Sequence, residues 1–137
     1  MELFKWTDEY SVNSEVLDNQ HKKLFEITNL LFTAFSNNVH RVKMQEILSE
    51  LQQYTKYHFT EEENLLQQKG LPLPDWHRQT HKDFIGKIDD FAAKFKAGKL
   101  GVTYEMMGFL RKWLTEHILG ADKQYASAFA FTWPSHK

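Results

Sequence analysis

Four stretches of this chain repeat apolar residues at spacings of three and four, and each of these apolar stripes also holds a histidine or a carboxylate. The spacing is that of an amphipathic helix, whose inward face is filled by residues one turn apart. Four such helices have few ways to bury their apolar faces except against one another. Residues 17–37 carry His21, Leu24, Phe25, Thr28, Leu31, Phe32 and Phe35, with a stop at Asn37-Asn38. Residues 42–69 carry Ile47, Leu51, Tyr54, His58, Glu62 and Leu65, ending at Gly70. Beyond the loop Leu71-Pro72-Leu73-Pro74, residues 74–97 carry His77, His81, Phe84, Ile88, Phe91 and Phe95 and stop at Gly98. The last stretch, 103–119, has Thr103 as its expected N-cap and Met106, Leu110, Trp113, Leu114 and His117 on its face. Gly120 interrupts it, and the tail 122–137 is expected to be helical again from 122 to 129.

Short loops between long helices predict an all-α, antiparallel up-down-up-down four-helix bundle. At about 1.5 Å per residue each helix is roughly 30 Å long. Residues 1–16 contain Trp6, Tyr10 and Val12 without a helical period, so an extended N-terminal arm packed along the bundle is expected. The length of 137 residues suits one domain, 1–137, with a real core. A hydrophobic share of 42% with 15% aromatics argues against disorder. The formal net charge of −1 points to neither nucleic acid nor an anionic membrane. The absence of cysteine excludes disulfides, thiolate zinc sites, iron–sulfur clusters and thiol nucleophiles. No apolar run reaches the roughly 20 residues of a bilayer span. The N-terminus lacks the basic and apolar regions of a signal peptide, so a soluble, cytoplasmic protein is expected.

The polar residues on the apolar faces need a separate reason. Glu62 lies one turn beyond His58 and faces the predicted interior, where an unpaired carboxylate is costly. His77 and His81, four apart, form a helical metal clip. Each feature alone has an ordinary reading as a surface pair or a satisfied core histidine. Taken together, His21, His58, Glu62, His77, His81, His117 and Asp122 converge. His21 is near the start of its helix, His58 and Glu62 are late in theirs, His77 and His81 open the third, and His117 and Asp122 close the fourth. In an antiparallel bundle all of these fall at one end. His40 and His136 lie in a loop and in the tail and do not join them. Asp122 needs help, because five residues turn an ideal helix by about 500° and leave it roughly 140° from the His117 face. Gly120, by ending or bulging the helix, would return it.

Seven ligands exceed what one zinc or other small ion would take from the protein, and calcium prefers oxygen. Two ions bridged by the two carboxylates use every ligand. Imidazole with carboxylate suits iron, while zinc, manganese and cobalt remain open on affinity alone. Three histidines on one ion and two on the other, with both carboxylates and a solvent bridge, leave one open position.

Several segments then carry a resemblance. They are Phe4-Lys5-Trp6-Thr7, Tyr10-Ser11-Val12, Leu17-Asp18-Asn19-Gln20-His21-Lys22-Lys23-Leu24, His58-Phe59-Thr60-Glu61-Glu62, His77-Arg78-Gln79-Thr80-His81, and His117-Ile118-Leu119-Gly120-Ala121-Asp122-Lys123. Over nearly its whole length the chain resembles the hemerythrin family, in the single-domain form called bacteriohemerythrin. The resemblance implies two iron ions per chain (Fe2+/Fe3+), bridged by Glu62, Asp122 and a solvent-derived oxo or hydroxo group. It assigns His77, His81 and His117 to the six-coordinate iron, and His21 and His58 to the open one. Dioxygen would bind reversibly at the open iron, in a dry pocket for which Leu24, Phe25, Phe59, Trp113, Leu114 and Ile118 are the apolar candidates. One departure is Gln79-Thr80, where many relatives carry an acidic residue; it bears on the surroundings of His81 and not on any ligand.

The expected function is reversible dioxygen binding for storage, delivery or sensing, without turnover. The alternatives are a di-iron enzyme acting on dioxygen, peroxide or nitric oxide, and an oxygen or redox sensor module. The Glu-x-x-His pairs of ferritin-like oxidases are missing from the sequence, which favours the carrier. The oligomeric state is open, with a monomer as the working expectation and an oxygen-consuming enzyme as a candidate downstream partner.

Overall fold

The computed structural model describes residues 4–37, 41–99 and 101–126. His40, His136 and the expected tail helix beyond residue 126 lie outside them. Four helices run as α1 (Glu15–Ser36), α2 (Arg41–Gln68), α3 (Asp75–Lys96) and α4 (Val102–Glu116), and α4 passes directly into a π turn, His117–Asp122. Each helix packs against the next and α4 closes onto α1, an antiparallel four-helix bundle. The described residues contain no strand. No helix among them is long and apolar enough to cross a membrane.

Local chemistry sets the helix ends. Ser14 caps α1 by accepting the Leu17 amide at 3.3 Å, so the helix starts at Glu15, two residues before the predicted start. Helix α2 ends in paired bonds, Gly70 N to Gln67 O at 3.0 Å and Leu71 N to Leu66 O at 2.8 Å. Gly70 sits at φ 74, the left-handed conformation this closure requires. At the other end of the bundle, Gly101 and not Thr103 is the N-cap of α4, so Val102 turns inward one residue before the expected start.

The core is aliphatic and aromatic along most of the bundle, with Leu31, Leu51, Phe84, Met106 and Leu110 wholly buried. The arm is fixed by stacking and hydrogen bonds. Phe4 stacks on Phe25 with ring centroids 4.5 Å apart, and Tyr10 meets the same ring edge-on at 4.9 Å. The Phe4 backbone is clasped by Asn29, which accepts from its N–H and donates to its carbonyl, both at 2.7 Å. Asp18 accepts from Ser11 Oγ at 2.6 Å and from the Val12 amide at 2.8 Å. Lys123 donates to the Ser11 carbonyl at 2.9 Å and so ties the arm to the segment after the π turn.

The polar cluster occupies one end of the bundle, and the apolar core supports the other. Leu51→Ala is therefore expected to lower unfolding free energy by about 2–5 kcal/mol. Denaturant titration measures the loss, and metal stoichiometry of the folded variant should not change.

Candidate metal centre

All seven candidate ligands meet. His21 comes from the second turn of α1, His58 and Glu62 from α2, His77 and His81 from the first two turns of α3, and His117 and Asp122 from the first and last positions of the π turn. Every one is buried; Glu62 is 0% exposed and the most open, His117, only 7%. Among the described residues no lysine or arginine is paired with Glu62 or Asp122; their ion-pair partners are the imidazoles.

The oxygens of the two carboxylates divide between two groups of nitrogens. Glu62 Oε1 is 3.0 Å from His81 Nε2, and Asp122 Oδ1 is 2.8 Å from His77 Nε2 and 3.0 Å from His117 Nε2. On the other side, Glu62 Oε2 is 3.7 Å from His21 Nε2 and 4.0 Å from His58 Nε2, and Asp122 Oδ2 is 3.2 Å from His21 Nε2. Each carboxylate thus offers one oxygen to a three-histidine group and one to a two-histidine group. The ligand atoms of His77, His81, His117, Glu62 and Asp122 lie within 4.8 Å of one another, and so do those of His21, His58 and Glu62.

The donors converge on shared centres and satisfy one another only in part: His77 Nε2 pairs with Asp122 Oδ1 at 2.8 Å and His81 Nε2 with His117 Nε2 at 3.1 Å. His21 Nε2, Glu62 Oε1 and Asp122 Oδ2 have close neighbours but no hydrogen-bond partner, because the directions are wrong. Three imidazoles also have acceptors on their far nitrogens. His81 Nδ1 meets Glu63 Oε2 at 2.9 Å, His58 Nδ1 meets Gln20 Oε1 at 2.7 Å, and His117 Nδ1 meets Thr80 Oγ1 at 3.3 Å. The Thr80 hydroxyl donates to the His77 carbonyl at 2.6 Å, so its oxygen faces His117 as an acceptor. These contacts place the proton on Nδ1 and leave Nε2 with its lone pair facing inward. His81 Nε2 and His117 Nε2 then face each other at 3.1 Å. Without metal, one proton shared between these two nitrogens satisfies the contact; with Nδ1 protonated on both rings, both Nε2 atoms are free to ligate, and the donor set fits metal ions.

The comparisons agree with the geometry. A family model described as the hemerythrin HHE cation binding domain matches residues 12–129. The chain belongs to the hemerythrin family. It is 32% identical over 126 residues to a bacteriohemerythrin of Stenotrophomonas maltophilia, covering 92% of this chain and 81% of that protein. A bacteriohemerythrin of Clostridium acetobutylicum is 34% identical over 127 residues, covering 90% of this chain and 98% of the relative. The crystal structure of a wild-type hemerythrin superposes with a TM-score of 0.82 at 34% identity, over 93% of this chain and 98% of that one.

In this hemerythrin Asp122 reaches the site without a break in the chain. Of the two expected routes, ending or bulging, the helix takes the bulge: it does not stop at Gly120 but widens into a π turn and continues as α-helix through residues 123–126. A turn closed by i to i+5 bonds puts residues five apart on one face, which gives Asp122 the His117 direction. Gly120 does not have a positive φ, and a Cβ there would meet nothing within 4 Å, so the glycine is not what makes the bulge possible.

Aromatic rings enclose the imidazoles. Phe59 stacks on His81 at 3.8 Å and half-buried Trp113 on His117 at 4.2 Å. Leu24, Leu114 and Ile118 are buried, whereas Phe25 is engaged by the arm. Three residues escaped the sequence reading: Gln20, Glu63 and Tyr125, the last donating to Glu62 Oε2 at 2.5 Å, while Thr80, part of the noted departure, stands behind His117 and not His81. Tyr125 lies three residues after Asp122 and Thr80 three after His77, spacings that place them on the same helix faces. Gln20 and Glu63 act across helices and leave no local pattern. Gln79, the other residue of the Gln79-Thr80 departure, bonds Asp83 on the surface at 2.9 Å.

The protein without metal has strongly displaced titrations. Burial lowers His21, but the adjacent Asp122 and Glu62 carboxylates outweigh it and raise the imidazole to about 9. Burial, with the His21 charge beside it, lowers His58 to about 3. Burial and mutual repulsion push Glu62 upward, yet His21 and His81 hold it well below the usual carboxylate range. The stability contributed by His21 is complete below pH ~6.5 and is lost as pH rises through about 9. His58 acts oppositely, since its neutral folded form loses stability as pH falls from ~6.5 toward about 3. Thermal unfolding in excess chelator should therefore give a maximum Tm near pH ~6.5, with a decline on both sides. His21→Gln should flatten the alkaline limb.

Proposed function

We propose that the chain binds dioxygen reversibly at two iron ions held by His21, His58, Glu62, His77, His81, His117 and Asp122. The division of each carboxylate between two histidine groups carries the reading, because an oxygen pair so divided suits a bridge between two ions. His77, His81 and His117 would serve one iron with Glu62 Oε1 and Asp122 Oδ1. His21 and His58 would serve the other with Glu62 Oε2 and Asp122 Oδ2, and a solvent-derived oxo or hydroxo group would complete the bridge. The two-histidine iron receives one protein donor fewer, so it is the one with room for the gas. When bound, the pair supplies two electrons, one from each ferrous ion, and an open coordination position.

The chain's own residues provide the surroundings for reversibility. Leu24, Phe59, Leu114 and Ile118 are buried beside the ligands and keep water from the site. Phe25 backs them from beneath the arm, and Trp113 covers His117. The Tyr125 hydroxyl proton rests on Glu62 Oε2 and holds that carboxylate in its divided orientation. The myohemerythrin of Theromyzon tessulatum, 29% identical over 124 residues, extends the similarity to a second group of relatives. The proposed setting is the cytoplasm, since a cysteine-free chain has no need of an oxidising compartment. Storage, delivery to an oxygen-consuming enzyme, and sensing all use the same binding step.

The test is to load chelator-treated protein anaerobically with ferrous iron, add dioxygen, then remove the gas. Two irons per chain and a visible charge-transfer band that appears and then vanishes are expected. Irreversible oxidation on first exposure would favour an oxidase or sensor, and one metal per chain would refute the paired site. Glu62→Ala should bring iron below two per chain by elemental analysis, whereas a surface glutamate such as Glu46 should tolerate the same change.

A further inference from the structure

The groups behind the imidazoles differ between the two sides of the site. On the three-histidine side His81 Nδ1–H donates to a carboxylate, Glu63 Oε2, at 2.9 Å. On the two-histidine side His58 Nδ1–H donates to a neutral amide, Gln20 Oε1, at 2.7 Å. His117 has the neutral Thr80 hydroxyl at 3.3 Å, and buried His21 Nδ1 has no hydrogen-bond partner among the described residues. Glu62 and Asp122 offer one oxygen to each side and cannot distinguish the two. Among these contacts on the far nitrogens, Glu63 is the one that brings a charge.

We propose that Glu63, on the surface side of His81, makes the three-histidine iron the more easily oxidised of the pair. The inference rests on the di-iron reading above. A carboxylate accepting from Nδ1–H draws that proton toward itself and moves electron density to Nε2, giving a stronger donor that favours ferric over ferrous iron. An amide acceptor at Gln20 orients His58 without this electronic effect. In a one-electron oxidation, a single electron leaves to an outer-sphere acceptor such as ferricyanide, and no bond is made or broken. The ferric ion then belongs to the His77, His81 and His117 group, and the iron with the open position stays ferrous. Glu63 is thus a positioning and tuning residue, acting through His81. Its side chain is 34% exposed, so ordinary solvent can reach it and moderate its effect.

Wild type, Glu63→Gln, Gln20→Glu and the control Glu61→Gln are to be loaded with iron, assayed for metal content and titrated anaerobically by spectroelectrochemistry. Removing such a partner commonly changes metal affinity by about 10–100-fold. A tenfold loss confined to the ferric state raises a one-electron potential by about 59 mV. Glu63→Gln should raise the potential of the first oxidation by at least that much, Gln20→Glu should lower the potential of the His58 iron, and Glu61→Gln should leave both alone. Mössbauer spectra of the half-oxidised protein should show the ferric site losing its preference for one iron in Glu63→Gln. In zinc-loaded protein the His81 Nδ1 proton resonance should move upfield in Glu63→Gln only, a reading independent of iron redox. A shift below twofold in Glu63→Gln, or an equal shift in Glu61→Gln, overturns the proposal. Should Glu63→Gln fail to hold two irons, the Gln20→Glu arm decides, and an unmoved or raised potential there overturns it. Fewer than two irons in wild type overturns the di-iron reading together with this proposal, whereas two irons with an unmoved potential overturns this proposal alone.

Discussion

Two carboxylates buried in a helical bundle, with no lysine or arginine among the described residues to neutralise them, dominate the energetics of this molecule. Glu62 and Asp122 stand among five imidazoles at distances of 2.8 to 4.0 Å, yet several of the facing atoms are misaligned for hydrogen bonding. In a low-dielectric interior that arrangement is unfavourable unless cations occupy the centres on which the lone pairs converge. The rest of the structure can be understood as the means of holding seven polar side chains in one dry place. The aliphatic half of the bundle supplies the hydrophobic stabilisation. The arm, clasped by Asn29 and Asp18, seals one flank through Phe4 and Phe25.

The antiparallel arrangement explains why so scattered a set of residues assembles. His21 and the pair His77 and His81 lie near helix starts, and His58, Glu62 and His117 near helix ends. Alternating helix directions bring starts beside ends. The π turn corrects the remaining mismatch between a five-residue spacing and a 3.6-residue period. Such turns are less favourable than α-helix and persist where the surroundings repay them. Here the return is the second bridging carboxylate, and Tyr125 one turn further on, bonded to the first.

Much of the fold was legible because helical periodicity is strong over long stretches and because glycine marks the stops. Gly70 and Gly98 act as left-handed C-caps where the sequence placed the ends of α2 and α3. The start of α4 was less legible. Thr103 is a good capping residue by type, but burial of Val102 moves the cap to Gly101. The Ser14 cap was passed over because the apolar stripe becomes visible only at Leu17. At the site, the five residues His58, Glu62, His77, His81 and His117 could be read from spacing within single helices. His21 could be read only as part of the set.

What the sequence determined by itself was the placement of six nitrogen- and oxygen-bearing side chains on apolar faces, with Asp122 near them, all at one end of a bundle, because within a helix the residue number fixes the direction of each side chain. What tertiary structure alone decided was which atoms face which. The widening of the helix after His117, rather than any property of Gly120, brings Asp122 inward. The division of the carboxylate oxygens depends on how α2 and the π turn are rotated against α1 and α3. Gln20 behind His58 and Glu63 behind His81 are contacts between residues 38 and 18 positions apart, across helix interfaces. No local pattern encodes such contacts, because the packing of one helix against another sets them.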